Sequence, residues 1–260
     1  MSTASQSTSA QRDAYIDLLK RSITNYAYLG GDTELEQFRC VNHYDVPQGR
    51  WKIGPLARPA TLLSKSQLDL IEHALVTVER NKVPGDLIEA GIWRGGAVIF
   101  MRAMLDAYAV RKRRVFAADS FAGIPLNTRA TGDPVDKWTD RWAASLEDVK
   151  GNIRRFGLLD QRIEFIIGFF EDTLGSLANE RFAIARLDSD SYDSVETSLE
   201  YLYPRLSKGG VVIIDDWHLE GCKAAVTNYR TRHGIADSIY VFDGNAYWTK
   251  RQDYGAPKRH

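Results

Sequence analysis

Five short apolar runs, "DLIEAG", "RVFAADS", "IEFIIGF", "FAIARLD" and "GGVVIIDD", recur between residues 86 and 216, with helix-patterned sequence between them. Each is apolar almost throughout and closed by a polar residue or a glycine, as strands covered on both faces require. Strand and helix alternating in this way predict an α/β domain built on a parallel, doubly wound sheet. Such sheets bind ligands outside the carboxyl ends of their strands. Glu89, Asp119, Asp188, Asp190, Asp215 and Asp216 all fall there. A chain of 260 residues accommodates one such domain with an N-terminal elaboration.

Both ends of the chain depart from the alternation. Residues 1 to 12 begin Ser/Thr-rich and without large apolar side chains, which predicts disorder. Tyr15, Leu18, Leu19 and Ile23 then repeat at helical spacing, so a helix is expected from near Asp13. From Gly30 to about Pro59 the period is lost among glycines, prolines and aromatics (Phe38, Tyr44, Trp51). Residues 13 to 63 therefore read as a helix plus an irregular cap, with apolar surface suited to homo-oligomerisation. The catalytic domain is expected over 64–251, opening with the helix "SKSQLDLIEHALVTVERN" capped by Ser64 or Ser66, and 252–260 as a solvated basic tail. Near the end, "SIYVFD" and "AYWTK" flank a tight turn read at "GN", predicting an antiparallel hairpin. A dehydrogenase-type sheet has no need of one.

Three stretches carry chemistry. "LIEAGIWRGGAVIFM" reads as strand, glycine turn and helix, where backbone N–H groups can meet a ligand. Its pattern is E-x-G-x-x-x-G-G rather than G-x-G-x-x-G, and its acid, Glu89, suits a cationic or zwitterionic ligand better than a pyrophosphate. Asp119, in "FAADSF", ends the next strand, where an acid in a nucleoside-binding sheet accepts from ribose hydroxyls. In "ARLDSDSYDS" and "IIDDWH", Asp188, Asp215 and Asp216 end two further strands without a cysteine nearby, which suits Mg²⁺ or another hard divalent cation. Asp190 also reads as a cap for the helix that follows it. His218 is open between metal ligand, general base and substrate contact, although a lone His is more often a hydrogen-bonded wall residue. Trp93, Trp138, Trp142 and Trp217 are open between pocket and core.

Composition narrows the class. Lys plus Arg equals Asp plus Glu at 34 each, which argues against a nucleic-acid footprint. Cys40 and Cys222 lie far apart, so neither a disulfide framework nor a thiolate zinc site is expected. The absence of a leader-like start and of a long apolar run leads to the expectation of a cytoplasmic protein that contacts no membrane.

Taken together, "YIDLLKRSITN", "VPGDLIEAGIWRGGA", "FAADSFAGIP", "LDSDSY" with "YPRLSKGG", and "IIDDW" with "CKAAVTNYRTRHGI" resemble the macrocin O-methyltransferase family. The similarity runs from about residue 14 to 250. It implies a Rossmann-like, seven-stranded methyltransferase fold that is mostly parallel with an antiparallel last strand. It also implies transfer of a methyl group from S-adenosylmethionine (SAM) to a hydroxyl of a small antibiotic-type molecule, on a sugar or a phenol. By this resemblance SAM is bordered by Glu89, Ala90, Gly91, Trp93, Arg94, Gly95, Asp119, Ser120, Gly168 and Phe169, with Asp119 on the ribose, while Asp188, Asp215 and Asp216 hold Mg²⁺. Catechol-type relatives of the fold place a lysine three residues after the first of these aspartates, but Ser191 stands here. The resemblance points to Asp188 as base, with Asp190 or His218 as alternatives. The sequence departs from the family pattern between residues 30 and 60, ending in "ATLLS", so the acceptor is not carried over. A nicotinamide-dependent oxidoreductase is the rival reading, weakened by the missing G-x-G-x-x-G; a non-catalytic SAM-fold protein is another.

Overall fold

The computed structural model describes residues 3–29, 59–125 and 142–253. The irregular segment through residue 58, Trp138 and the tail beyond residue 253 lie outside the described residues.

The five apolar runs form β1 (Asp86–Ala90), β2 (Val115–Asp119), β3 (Ile163–Ile167), β4 (Phe182–Leu187) and β5 (Leu206–Ile214). All are parallel to their neighbours in this set. Two more strands, β6 (Tyr240–Phe242) and β7 (Asn245–Thr249), complete the order β3-β2-β1-β4-β5-β7-β6, with β7 antiparallel to β5 and β6 antiparallel to β7. Side chains of the central strands are buried on both faces: in β5, Val211 and Ile213 enter one core, and Val212 and Ile214 the other. Strand order reverses between β1 and β4, and that is where a doubly wound sheet opens a crevice.

Helices cover both faces. One layer holds α1 (Thr3–Ile23), α3 (Lys65–Arg80), α4 (Gly96–Ala107) and α5 (Leu146–Arg155). A one-turn helix, α2 (Tyr26–Leu29), follows α1, and another, α6 (Phe170–Thr173), follows β3. The opposite layer holds α7 (Tyr192–Leu202) and α8 (Glu220–Arg232). In α3 the expected cap is Ser64: its hydroxyl accepts from Gln67 N at 3.1 Å while Gln67 Oε1 accepts from Ser64 N at 2.9 Å, a reciprocal capping box. Gly96 to Leu105 are buried without interruption because α4 lies between the sheet and α1.

Three local expectations need correction. The start of α1 lies at Thr3, ten residues before the expected start, so the stretch assigned to disorder is helical from that point. Once the amphipathic part is nucleated, each added residue costs little, and Ala, Ser and Gln tolerate helix. The hairpin turn is Asp243-Gly244 rather than "GN": both residues have positive φ (47° and 78°), as a two-residue turn of this hand requires, and Asn245 is already in the strand. The helix after β4 is capped by Ser191, whose hydroxyl accepts from Ser194 N at 3.2 Å, and not by Asp190, which has a φ of 55°.

The N-terminal layer is tied to the sheet by charge and by backbone. Lys20, 6 % exposed, reaches Asp69 and Glu72 of α3 at 2.5 Å each. Ala60 N donates to Ile23 O at 2.8 Å, returning the chain from α1 towards the carboxyl edge of the sheet. From the other end of the molecule, the Asp243 carboxylate accepts from the Ser64 and Ser66 hydroxyls at the start of α3, where the helix dipole favours an anion.

Candidate active site

Where β1 ends, the backbone has no room to spare. Asp188 N donates to Ala90 O at 2.8 Å and Gly91 N to Ala118 O at 2.8 Å, so the tips of β4, β1 and β2 are pinned in sequence. Gly91 has a φ of 86°, and a Cβ on it would lie 1.6 Å from the Asp188 carbonyl oxygen. Beyond it the loop is fastened by Asp119. Its Oδ2 accepts from Ile92 N at 2.8 Å and Trp93 N at 3.1 Å, and its Oδ1 from Phe121 N at 2.7 Å. Two of those donors belong to residues with left-handed backbone, Trp93 (φ 44°) and Phe121 (φ 56°), a strain that the carboxylate helps to hold. Burial pushes the Asp119 carboxyl up, and the three backbone donors pull it back. Oδ2 is then filled by its two backbone donors, while Oδ1 keeps a lone-pair site for a further donor.

At the neighbouring strand tips the acids converge. Cα of Leu187 pairs with that of Ile214, so Asp188 and Asp215 follow at matching positions, with Asp216 beside them. Asp188, Asp215 and Asp216 each offer one carboxylate oxygen, all within 4.8 Å of one another. Asp190 turns back by its left-handed φ, and its N–H donates to Asp216 Oδ2 at 3.2 Å.

Beneath them lies a cation that the reading of strand ends passed over. Arg186 is 1 % exposed, in register with Glu89 across β1 and β4. Its Nη1 donates to Glu89 Oε1 and to Asp188 Oδ2, the latter at 2.9 Å, while Nη2 lies 2.6 Å from Asp215 Oδ1 in ion-pair contact. Burial works against the charge on Arg186, yet Asp215, Asp188 and Glu89 hold it more firmly protonated than usual. Burial pushes Glu89 up to about 8, Arg186 opposing. Burial and then the charge of Asp215 push Asp188 up to about 7. Burial likewise raises Asp190 and Asp216, and the neighbouring acids add to the rise. Five carboxylates thus share one guanidinium, an imbalance that draws in protons or a cation.

These tips open into one cavity of about 380 Å³. Glu89, Gly91, Trp93, Asp119, Ser120 and Phe169 line it together with Asp188, Asp190, Asp215, Asp216 and His218. His218 sits exposed at its rim. Ala90, Arg94, Gly95 and Gly168 stand behind the lining: Arg94 O accepts from Asn152 Nδ2 at 3.0 Å, a Cβ on Gly95 would meet Val149, and Gly168 N donates to Asp119 O at 2.9 Å. Trp93 and Trp142 meet edge to face at 5.7 Å on the wall, whereas Trp217 packs against the second core.

A sequence profile described as macrocin-O-methyltransferase matches residues 12–251. The chain belongs to this family. The chain is 41 % identical over 249 residues to 8-demethyl-8-(2,3-dimethoxy-alpha-L-rhamnosyl)-tetracenomycin-C 4'-O-methyltransferase of Streptomyces olivaceus, with 93 % of this chain and 94 % of that one aligned. It is 37 % identical to mycinamicin III 3''-O-methyltransferase of Micromonospora griseorubida, covering 92 % and 96 %. Among solved structures, the O-methyltransferase NovP superposes with a TM-score of 0.79 at 35 % identity, over 93 % of this chain and all of that one. The protein is therefore a SAM-dependent O-methyltransferase, and an oxidoreductase or a non-catalytic binder is set aside.

Within this family member, part of the cavity wall had no signature of its own in the sequence. Ala60, Thr61, Leu62 and Leu63 line it, brought there by the backbone tie to Ile23. Nothing in "ATLLS" marks that contact. Arg186 did carry a signal, a lone cation inside the otherwise apolar "FAIARL". Among the described residues no helix is long and apolar enough to cross a membrane.

Proposed function

We propose that this enzyme methylates a sugar hydroxyl of a glycosylated small molecule, with Asp188, Asp215 and Asp216 holding a hard divalent cation and Asp188 accepting the hydroxyl proton. The observation that carries this reading is the placing of three carboxylate oxygens within 4.8 Å of one another in the same cavity as the Gly91 and Asp119 loops. An all-oxygen donor set of this kind fits Mg²⁺ or Mn²⁺ and suits zinc poorly. The names of the relatives support the acceptor class, since one acts at a rhamnosyl 4' position and one at a 3'' position.

When bound, the cation would lower the pKa of an acceptor hydroxyl and fix its approach. SAM would supply the electrophilic methyl group. The chain's own residues do the rest. The Gly91 and Trp93 loop and the Asp119 carboxylate line the donor side of the cavity, and Glu89 offers its buried Oε2, which has no hydrogen-bond partner, to a cationic group of the donor. Trp142 and residues 60–63 restrict water and shape the acceptor side. Asp188, its side chain 29 % exposed on the cavity, is the acid placed to receive the hydroxyl proton. Asp190 and His218 are the alternatives: the Asp190 N–H donates to Asp216, and His218 stands exposed on the same cavity.

Metal removal tests the reading directly. Turnover of a 3''- or 4'-unmethylated glycoside, followed by mass spectrometry, is expected to vanish in EDTA and to return with Mg²⁺, while calorimetric SAM affinity stays within about threefold. Undiminished turnover by enzyme verified as metal-free rejects the cation.

Asp119→Ala addresses the donor side. It removes the acceptor of three backbone N–H groups and of the ribose hydroxyls together, and hydrogen bonds to a charged group contribute about 1.5–3 kcal/mol each. SAM affinity is expected to fall at least tenfold, and less in Asp119→Asn, which keeps an acceptor oxygen. Calorimetry showing unchanged affinity in folded Asp119→Ala removes this residue from the donor site.

A further inference from the structure

We infer that Arg186 is the positioning residue of the acidic centre: its guanidinium holds one oxygen of Asp188 and one of Asp215, so that their other oxygens face the cavity in the arrangement that receives the cation. The inference rests on the reading of the three aspartates as cation ligands. Four observations lead to it. Arg186 is 1 % exposed in the middle of a parallel strand, a place where an arginine is costly unless fully partnered. Its partners are three acids from three different strand ends, Glu89, Asp188 and Asp215. Glu89 faces it in register across the strand order reversal and fixes it from the side away from β5. The fork then splits: Nη1 donates a hydrogen bond to Asp188 Oδ2, and Nη2 holds Asp215 Oδ1 by an ion-pair contact of 2.6 Å that is not aligned as a hydrogen bond.

A buried guanidinium next to a cation site repels the incoming ion, so its presence needs a compensating role. A planar fork supplies one that a point charge does not, since it sets the direction of two carboxylates at once. Without it, Asp188 and Asp215 lose the partner that fixes their rotation. The loss of such supporting partners of metal ligands typically costs about 10–100-fold in metal affinity.

The test measures Mn²⁺ affinity by calorimetry and electron paramagnetic resonance on enzyme free of SAM and acceptor, with folding checked by circular dichroism and melting. Arg186→Lys keeps the charge and loses the fork. Arg186→Gln loses both, and relieving the repulsion alone would make Mn²⁺ bind tighter. The expected result is at least tenfold weaker Mn²⁺ binding in both. Binding by either folded variant within tenfold of wild type, or tighter, overturns the inference. So does failure of both variants to fold, which would assign Arg186 to the sheet itself. If only one folds, that one decides by the same threshold. Wild-type enzyme that binds no Mn²⁺ at millimolar concentration instead rejects the cation reading on which the inference stands.

Discussion

Asp188→Asn is expected to lower turnover by about 10²–10⁴-fold, the usual worth of a positioned general base, and excess Mg²⁺ should not restore it. In the proposed mechanism two functions meet on this side chain: it is one of the three carboxylates that converge within 4.8 Å, and it accepts the hydroxyl proton. The amide keeps one oxygen for a cation but no basic site. Asp215→Asn provides the contrast, because it removes charge from the cation site while leaving Asp188 intact. Its activity should recover in part as Mg²⁺ is raised. Steady-state rates across a Mg²⁺ titration separate the two variants. If Asp188→Asn recovers as fully as Asp215→Asn, Asp188 is a ligand only, and the base must be sought at Asp190 or His218.

Gly91→Ala is the second large effect, and it acts through the backbone. The native φ of 86° is strained for any L side chain, and the new methyl would overlap the Asp188 carbonyl oxygen at 1.6 Å. The tips of β1 and β4 would have to separate by roughly an ångström or more, displacing the donor loop and the acidic centre together. A misplacement of that size costs about 10²-fold in rate, and stability should fall by about 2–3 kcal/mol. Gly151→Ala is the control: it lies in α5 with nothing within 4 Å of an added Cβ, so the change should leave the rate alone and raise the melting temperature slightly. Melting curves and SAM calorimetry on both variants check the pair. A Gly91→Ala enzyme with native SAM affinity and rate shows that the two strand tips are not rigidly joined.

The strands and the acids were legible because each obeys a strong local constraint. Strands buried on both faces must be apolar throughout, and carboxylates have little reason to close them unless a ligand is near. Asp119 and Asp188 were found in this way, and the structure puts both on one cavity. The terminal hairpin was legible from β-rich runs around a tight turn, although the turn itself is shifted by one residue, since Asp243 and Gly244 rather than Asn245 take the positive φ. Arg186 was harder to see because attention to strand ends skips the residue one turn of the pleat below, and only register shows that it faces Glu89. The wall at residues 60–63 was marked only through the family resemblance, because its place depends on a hydrogen bond to Ile23 across a span whose sequence has no period.

The bonds from Ser64 and Ser66 to Asp243 join residues 177 to 179 positions apart. The residues that open α3 leave the ribosome early, and the carboxylate that fastens them belongs to the late-emerging hairpin. All of β1 to β5 can pair before that moment, since none of their contacts involves the hairpin except the outer edge of β5. Long-range closures of this kind are slow relative to local ones. In the growing chain, β1 to β5 can therefore pair while the start of α3 is still unlatched, and that latch closes only when synthesis has passed residue 243.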